Sequence, residues 1–534
     1  MLSCQPYQTR ITGLHMNTQS LLIQSLQNPA LFPHKVEYFK IIETHISWIL
    51  LTGQYAYKIK KPLNLGFLDF SSLKKRQLFC LEEIRLNSRL APDIYLEVVA
   101  INGTEQQPIL NHFRSGKVIE YAVKMRQFDQ NKTFDQLLMQ HQLTTQHIKQ
   151  TAKIIADFHA RIERAAVVSE FGSTDAILQP VQENFNQILQ QDSINKPDVL
   201  KHLKSCSEQH HSALLPLFKQ RKQAGFIREC HGDLHLGNIA LIDTQVVPFD
   251  GIEFNPALYW IDVISDIAFL VMDLQDKQRH DLAFQFLNSY LQYSGDYNGL
   301  KLLHFYLVYR AMVRAKVCTI RASQSISTDE HKQALSHYDK YLQLANRYTH
   351  PSTPFMLIMH GVSGSGKSWL SEQIIDRYQA IRIRSDIERK RLHSLAISQQ
   401  KNYSAIACDL YSQTSNDITY QHLLDLSGKI IDAGYNVIVD ATFLQQQHRK
   451  LFFQQAERQQ TPFLIVHTQT DKQTLIQRIK DRAKQQDNVS EANQTVVEHQ
   501  LSNKQPLSDE EKKHCMSIDT SEDTQLSKLW KFLD

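Results

Sequence analysis

The stretch His231-Gly232-Asp233-Leu234-His235-Leu236-Gly237-Asn238, continued by IALIDTQVVPFDGIEF over 239–254, decides how the first half of the chain is read. Asp233 and Asn238 stand five apart. After Asn238 come an apolar run (Ile239 to Ile242), a polar turn at Asp243-Thr244-Gln245 and a second apolar run (Val246 to Phe249), the pattern of a β-hairpin. A hairpin centred near Thr244 lays the flanks of Asn238 and Asp250 side by side. An amide oxygen and a carboxylate then converge, with Asp233 one loop away. Hard oxygen ligands at one point suit Mg²⁺, which binds through one or two side chains plus phosphate oxygens. A further carboxylate can take or orient a hydroxyl proton, so the set has what phosphoryl transfer from ATP requires. Singly, the His-Gly-Asp triplet reads as a helix cap and Asp250 as a turn residue; the ordered set carries the reading.

The order H-x-D-x-x-x-x-N, hairpin, D resembles the protein-kinase catalytic loop and the metal-binding aspartate that follows it. Here Gly232 stands where kinases carry Arg, and His235 follows Leu234. This H-G-D-x-H-x-x-N form is similar to the aminoglycoside phosphotransferase family, which includes choline and small-metabolite kinases. The resemblance implies a bilobal α+β fold that uses ATP and Mg²⁺, with Asp233 catalytic and Asn238 and Asp250 on the metal.

Upstream, SWILL (47–51), a Thr52-Gly53-Gln54 turn and YAYKI (55–59) predict another hairpin, whose period of two puts Lys58 and Lys60 on one face. A nucleotide-binding lobe of this kind needs one strand lysine for the α/β-phosphates. Lys58 follows the apolar run most closely and is the candidate; Lys60 and Lys61 are alternatives, or merely solvated. The glycine-rich loop of protein kinases is absent, and Gly53 alone lies in the turn. An amphipathic helix over Ser71 to Leu90 carries Glu82 and Glu83. Glu83 is the candidate partner of the lysine, against the alternative of a solvated carboxylate. Strands are expected at Tyr95 to Ile101 and Val118 to Arg126, with a hinge at Met125-Arg126-Gln127. Residues 56–101 are similar to an uncharacterised bacterial branch of the phosphotransferase family.

From Thr133 the patterning is helical. His159 is expected to be a packed helix histidine. Residues 170–225, rich in Gln and His, form a polar insertion without a readable motif. In the family resemblance Asp266 braces the catalytic loop. Helices at about 278–293, 298–322 and 335–347 complete the lobe.

A short Pro-containing linker (348–354) precedes a second domain. The apolar run FMLIM (355–359) leads into Gly361-Val362-Ser363-Gly364-Ser365-Gly366-Lys367-Ser368, a complete G-x-x-x-x-G-K-S phosphate loop between strand and helix. Its glycines, with the intervening Ser363 and Ser365, turn backbone N–H groups toward phosphates at a helix N-terminus. Lys367 reaches the β/γ-phosphates and Ser368 reaches Mg²⁺. Strands at Ala380 to Ile383, Asn436 to Val439, Phe463 to Thr468 and Met516 to Ile518 alternate with helices, predicting an α/β P-loop NTPase domain with a parallel sheet. Asp386 and Arg389 (D-x-x-R) follow the second strand; Asp440, at the Walker B position, ends VIVD and is followed by Thr442. Arg478 and Arg482 lead into a polar stretch, 484–495, read as a lid. Together these resemble small P-loop kinases of the gluconate-kinase and polynucleotide-kinase type, within the AAA-like ATP-binding domains. The resemblance implies Asp386 as acceptor of the hydroxyl proton, Arg389 on the substrate, Arg482 over the γ-phosphate and Asp440 on the metal.

At 534 residues the chain needs more than one core. Its net charge of +4 gives no case for a dedicated nucleic-acid binder. The seven cysteines lie far apart with no C-x-x-C, so reduced cytoplasmic thiols are expected. The best membrane candidate, Trp260 to Leu274, is broken by Asp262, Asp266 and Asp273. Residues 1–16 are expected to be a disordered tail, with Met16 an alternative start. The expectation is a two-site kinase: a phosphotransferase with an N-lobe (17–130) and a helical lobe (131–347), then a P-loop kinase (355–534). Each site is expected to phosphorylate a hydroxyl of a small polar or sugar-like molecule. Two alternatives stay open for the second domain: a non-transferring regulatory ATPase, or a nucleic-acid 5′-hydroxyl kinase.

Overall fold

The hairpin expected at 47–59 is the middle of a six-stranded antiparallel sheet. The computed structural model describes residues 18–533 apart from 67, 112–116, 192–195, 325–326, 351–352, 400–412, 484–493 and 522–525. The expected N-terminal tail lies outside the described residues. Strands β1 (Lys40–Glu43), β2 (Ser47–Leu51), β3 (Tyr55–Lys60), β4 (Tyr95–Gly103), β5 (Pro108–Asn111) and β6 (Val118–Arg126) are ordered β1-β2-β3-β6-β4-β5. Alternation along β3 sends Tyr57 and Ile59 into a cluster with Leu22 and Ile23 of helix α1 (Thr18–Ser25) and Leu26 just past its end. The other face of the sheet is covered by α2 (Leu73–Asn87), whose Cys80 packs with Ile94, Tyr95 and Val123. Ser72 caps α2 by accepting from the Lys75 N–H.

The helical lobe holds α3 (Phe134–Met139), α4 (Thr145–Arg161), α5 (Thr174–Leu189), α6 (Pro197–Gln223), α7 (Pro256–Tyr259) and α8 (Val263–Asp276). These are followed by α9 (His280–Ser294), α10 (Leu300–Gln324) and α11 (Thr328–Tyr348). Two short strands, β7 (Ile227–Glu229) and β10 (Trp260–Asp262), pair antiparallel and pin both ends of the 230–259 loop. Within it, β8 (Ile239–Ile242) and β9 (Gln245–Pro248) form a hairpin. Its turn residues Asp243 and Thr244 both have positive φ, 46° and 69°, as a twist-matched two-residue hairpin turn requires. An antiparallel sheet followed by a helical lobe carrying this loop makes the first unit a bilobal, protein-kinase-like fold.

The second unit holds a parallel sheet ordered β12-β13-β11-β14-β15, from β11 (Met356–His360), β12 (Ile381–Arg384), β13 (Val437–Asp440), β14 (Phe463–Gln469) and β15 (Cys515–Asp519). Helices α12 (Lys367–Tyr378) and α13 (Ser385–Gln399) follow β11 and β12. This is the α/β P-loop architecture.

The unit boundary departs from the expected linker. Residues 277–304, read as part of the helical lobe, group with 346–534, while 305–345 group with the first unit. The physical reason is an edge contact. Asn288 of α9 donates from its amide to Ala380 O (2.9 Å) and accepts the Arg382 N–H (2.6 Å), occupying the open edge of β12. Gln285 adds a bond to Asp376 (2.7 Å), and Phe284 lies 6.4 Å from Tyr435, ring centre to ring centre. Helical periodicity along α9 carries no sign of which sheet its buried face meets.

Candidate functional site

In the first unit the hairpin does what its spacing implies. The Phe249 N–H donates to Asn238 O (2.9 Å), so Asn238 and Asp250 flank the last rung. The Asn238 amide nitrogen donates to Asp233 Oδ2 (3.0 Å), Asp233 O (3.0 Å) and Asp250 O (3.3 Å). That use of the nitrogen leaves Oδ1 as the ligand atom of this side chain. His235 Nε2 stands 3.5 Å from Asp233 Oδ2. Gly232 has φ +84°, and a Cβ there would come within 2.8 Å of Leu258 O, so the position where kinases carry Arg accepts only glycine here.

The loop is braced from behind. Buried Asp266 accepts from the Gly232 N–H (2.8 Å), the His231 N–H (3.2 Å) and His159 Nε2 (3.0 Å). Burial alone would raise its carboxyl; the His159 hydrogen bond and the His159, His231 and Arg310 charges outweigh it and hold it at about 2. Arg310 of α10, which the sequence reading missed, donates to Gly232 O (3.0 Å) and Ser265 O (3.0 Å).

Lys58 and Lys60 both point inward, as the period of two required. Lys58 Nζ contacts Glu83 Oε1 and Asp250 Oδ1, each at 2.7 Å. Lys60 is not solvated. It is fully buried and contacts the other oxygen of Glu83 (2.6 Å) and Glu253 (2.5 Å). Burial would push the Lys58 ammonium down, but Asp250 and Glu83 hold it well above its usual range. Burial raises Glu253, and Lys60 offsets this only in part. Glu82 pairs instead with Arg85 at the surface, and Lys61 with Glu43. Breaking a buried pair by removing one partner costs about 3–5 kcal/mol. Lys60→Met is therefore expected to destabilise the first unit by about that much in denaturant unfolding, far more than Lys61→Met.

The turn carrying Gly53 does not lie at the Glu83 end of β3. Its N–H donates to Gln127 Oε1 (3.1 Å), at the hinge. The turn beside Ser47 and Lys60 is Thr44-His45-Ile46, closed by Thr44 Oγ1 accepting from the Ser47 N–H (2.9 Å), with no glycine. Asp233, Asn238, Asp250, Lys58 and the hinge residues Met125 to Gln127 line one cleft of about 2770 Å³. Asp250 is also held at about 2: burial raises it and Lys58 more than reverses this. A depressed carboxyl stabilises the fold above its unfolded value near 4, and that stabilisation is lost as pH falls toward 2. Melting temperature against pH is expected to drop over this window, with Asp266→Asn flattening the drop.

In the second unit Gly366 caps α12 with φ +91°, and a Cβ there would meet Thr520 at 2.8 Å. Gly361 and Gly364 also have positive φ. Lys367 Nζ lies on Gly361 O (3.0 Å) and Val362 O (2.8 Å), folded over its own loop. Ser368 Oγ donates to Asp440 Oδ2 (2.9 Å), bringing the two metal candidates together. The Ser363 N–H is taken by Gln500 Oε1 (2.8 Å), and Ser365 Oγ bonds Thr468 (2.6 Å). Asp386 sits in the first turn of α13, and Arg389 donates to Asn416 (2.9 Å). Arg384, also missed, lies between Asp386 (4.0 Å) and Asp440 (3.9 Å). The side chain of Arg482 and residues 484–493 of the expected 484–495 lid lie outside the described residues. Arg478 bonds Thr520 Oγ1 (2.8 Å) and O (2.8 Å), with Gly364 O at 3.5 Å. The donor sets fit ATP·Mg²⁺ in both units: hard oxygens from Asn, Asp and Ser, each beside a lysine.

Residues 356–507 match the family described as AAA domain. A curated uncharacterized protein of Mycobacterium tuberculosis is 29% identical over 413 residues, 77% of this chain and 80% of its own length. One from Mycobacterium bovis gives the same figures. Among solved structures, a choline kinase from Cryptosporidium parvum aligns with 62% of this chain and 96% of its own, at 14% identity and a TM-score of 0.37. A gluconokinase from Sinorhizobium meliloti aligns with 34% and 89%, at 16% identity and a TM-score of 0.24. Among the described residues no helix is long and apolar enough to cross a membrane.

Proposed function

We propose that the chain is a cytoplasmic ATP-dependent kinase with two phosphoryl-transfer sites, each acting on a hydroxyl of a small polar or sugar-like molecule. The observation that carries the reading is the meeting of Lys58, Asp250, Asn238 and Asp233 in one cleft, with Glu83 behind Lys58. Mg²⁺ held by Asn238 Oδ1 and Asp250 would neutralise phosphate charge in the first site, and held through Ser368 and Asp440 would do so in the second. Lys58, kept ionised and aimed by Glu83, binds the α/β-phosphates of ATP. Asp233, fixed by the Asn238 amide, accepts the proton of the attacking hydroxyl. In the second unit Lys367 unfolds from Gly361 O and Val362 O onto the β/γ-phosphates. Asp386 orients the acceptor hydroxyl there, and Arg389 holds the acceptor. Both sites act by positioning and charge neutralisation.

The test is a metabolite-panel kinase assay on the wild type, Asp233→Ala and Lys367→Ala. Each substitution is expected to abolish a different subset of phosphorylated products. Products unaffected by either change would refute the reading.

A further inference from the structure

Helix α8 meets the catalytic loop with one face. Asp266, Phe269 and Asp273 stand on it at i, i+3 and i+7. Asp266 accepts the Gly232 N–H, and Asp273 Oδ2 accepts the Leu236 N–H (3.0 Å). Between these two anchors Phe269 packs edge-on against the His235 ring, with centroids 5.4 Å apart and planes at 66°. His235 is 1% exposed. Its ring is therefore held in place, and its two nitrogens must find partners inside the protein.

Those partners assign the proton. The Gly237 N–H donates to Nδ1 (3.1 Å). The lone pair of the neutral ring therefore lies on Nδ1, and its N–H on Nε2. Nε2 stands 3.5 Å from Asp233 Oδ2. The Asn238 amide donates to the same oxygen (3.0 Å). Two N–H groups thus converge on one oxygen of the proposed base. A carboxylate turns easily about its last side-chain bond, and donors on one oxygen set that rotation and with it the direction of the other. A separation of 3.5 Å is long for an N–H···O bond, but bonds at catalytic groups are often long in the free enzyme and tighten in the reacting complex. The Nδ1 bond by itself is only a cap on the Leu236–Asn238 turn, a task an asparagine performs equally well. The imidazole is needed for what its other nitrogen faces.

We propose that His235 is a positioning residue for Asp233. With the Asn238 amide, its Nε2–H orients the carboxylate that takes the hydroxyl proton as the acceptor oxygen bonds to the γ-phosphorus and ADP leaves. The proposal rests on the kinase reading of the first cleft.

The test separates the two nitrogens in the full chain carrying Lys367→Ala, where only the first site turns over. His235→Asn keeps an acceptor where Nδ1 was but cannot reach Asp233. His235→Gln loses the cap but carries an N–H out to the position of Nε2. Turnover is read as ADP released from MgATP, with water and then each molecule of the metabolite panel as acceptor; Asp233→Ala sets the background. His235→Asn is expected to lower kcat about 10–100-fold, the worth of one hydrogen bond to a charged group. His235→Gln is expected to stay near the wild-type rate. Calorimetric affinity for a non-hydrolysable ATP analogue with Mg²⁺ is expected to be unchanged in both. A histidine that served only as a cap would invert the order, with Asn fast and Gln slow, and that result overturns the proposal. Should His235→Gln not fold, a folded His235→Asn with undiminished kcat overturns it alone. Turnover no faster than the Asp233→Ala background, with the analogue bound, also overturns it. Failure of the analogue to bind refutes the kinase reading and the proposal with it.

Discussion

Asp233→Ala is expected to lower phosphoryl transfer by the first unit about 10²–10⁴-fold, the range for losing a positioned general base, while ATP affinity stays near wild type. The separation follows from what each group touches. Asp233 accepts from Asn238 and neighbours His235. Lys58, the proposed phosphate lysine, is held by Glu83 and Asp250. Asp233→Asn keeps the volume but cannot take a proton, so it should be nearly as slow. The measurement is kcat and KM for ATP in the Lys367→Ala background, where only the first site turns over. Undiminished kcat in both variants would move the base elsewhere in the cleft.

The second large effect is on stability. Asn288→Ala strips the β12 edge of two partners at once, leaving Ala380 C=O and Arg382 N–H without their amide. At about 1–3 kcal/mol for each unsatisfied buried group, the second unit is expected to lose about 2–6 kcal/mol. The loss should appear in the calorimetric transition of the P-loop unit and leave that of the first unit in place. A fragment starting at residue 346 lacks α9 altogether and is expected to be insoluble or to bind ATP weakly. If that fragment folds and binds ATP like the full chain, the edge contact is dispensable.

Much of the two folds was legible because their signals are local and periodic. The hairpin at 239–248, the lysine pair on β3 and the five parallel strands each follow from alternation or a short apolar run ended by polar residues. The phosphate loop follows from glycines whose backbone angles L-residues rarely adopt. What was not legible rests on pairings across long sequence separations. Lys60 could be read as an alternative phosphate lysine or as solvated because Glu253, its partner, is 193 residues away. Arg310 reads as one more helical arginine until Gly232 O is placed against it. Arg478 likewise reads as one more helical arginine until Thr520, 42 residues on, is placed beside it. Asn288 is an ordinary polar residue on an amphipathic helix, with nothing nearby to announce the strand it meets.

That last contact also sets a clock. Asn288 is joined to Ala380 across 92 residues. At roughly 5–20 residues per second of synthesis, α9 emerges from the ribosome roughly 5–20 s before its strand exists. Leu282, Phe286, Leu287 and Leu291, all buried in the finished protein, are then a bare apolar stripe on a nascent chain. Slowed translation between 304 and 384 is therefore expected to raise aggregation through the 277–304 segment, read as the insoluble fraction of newly made chain.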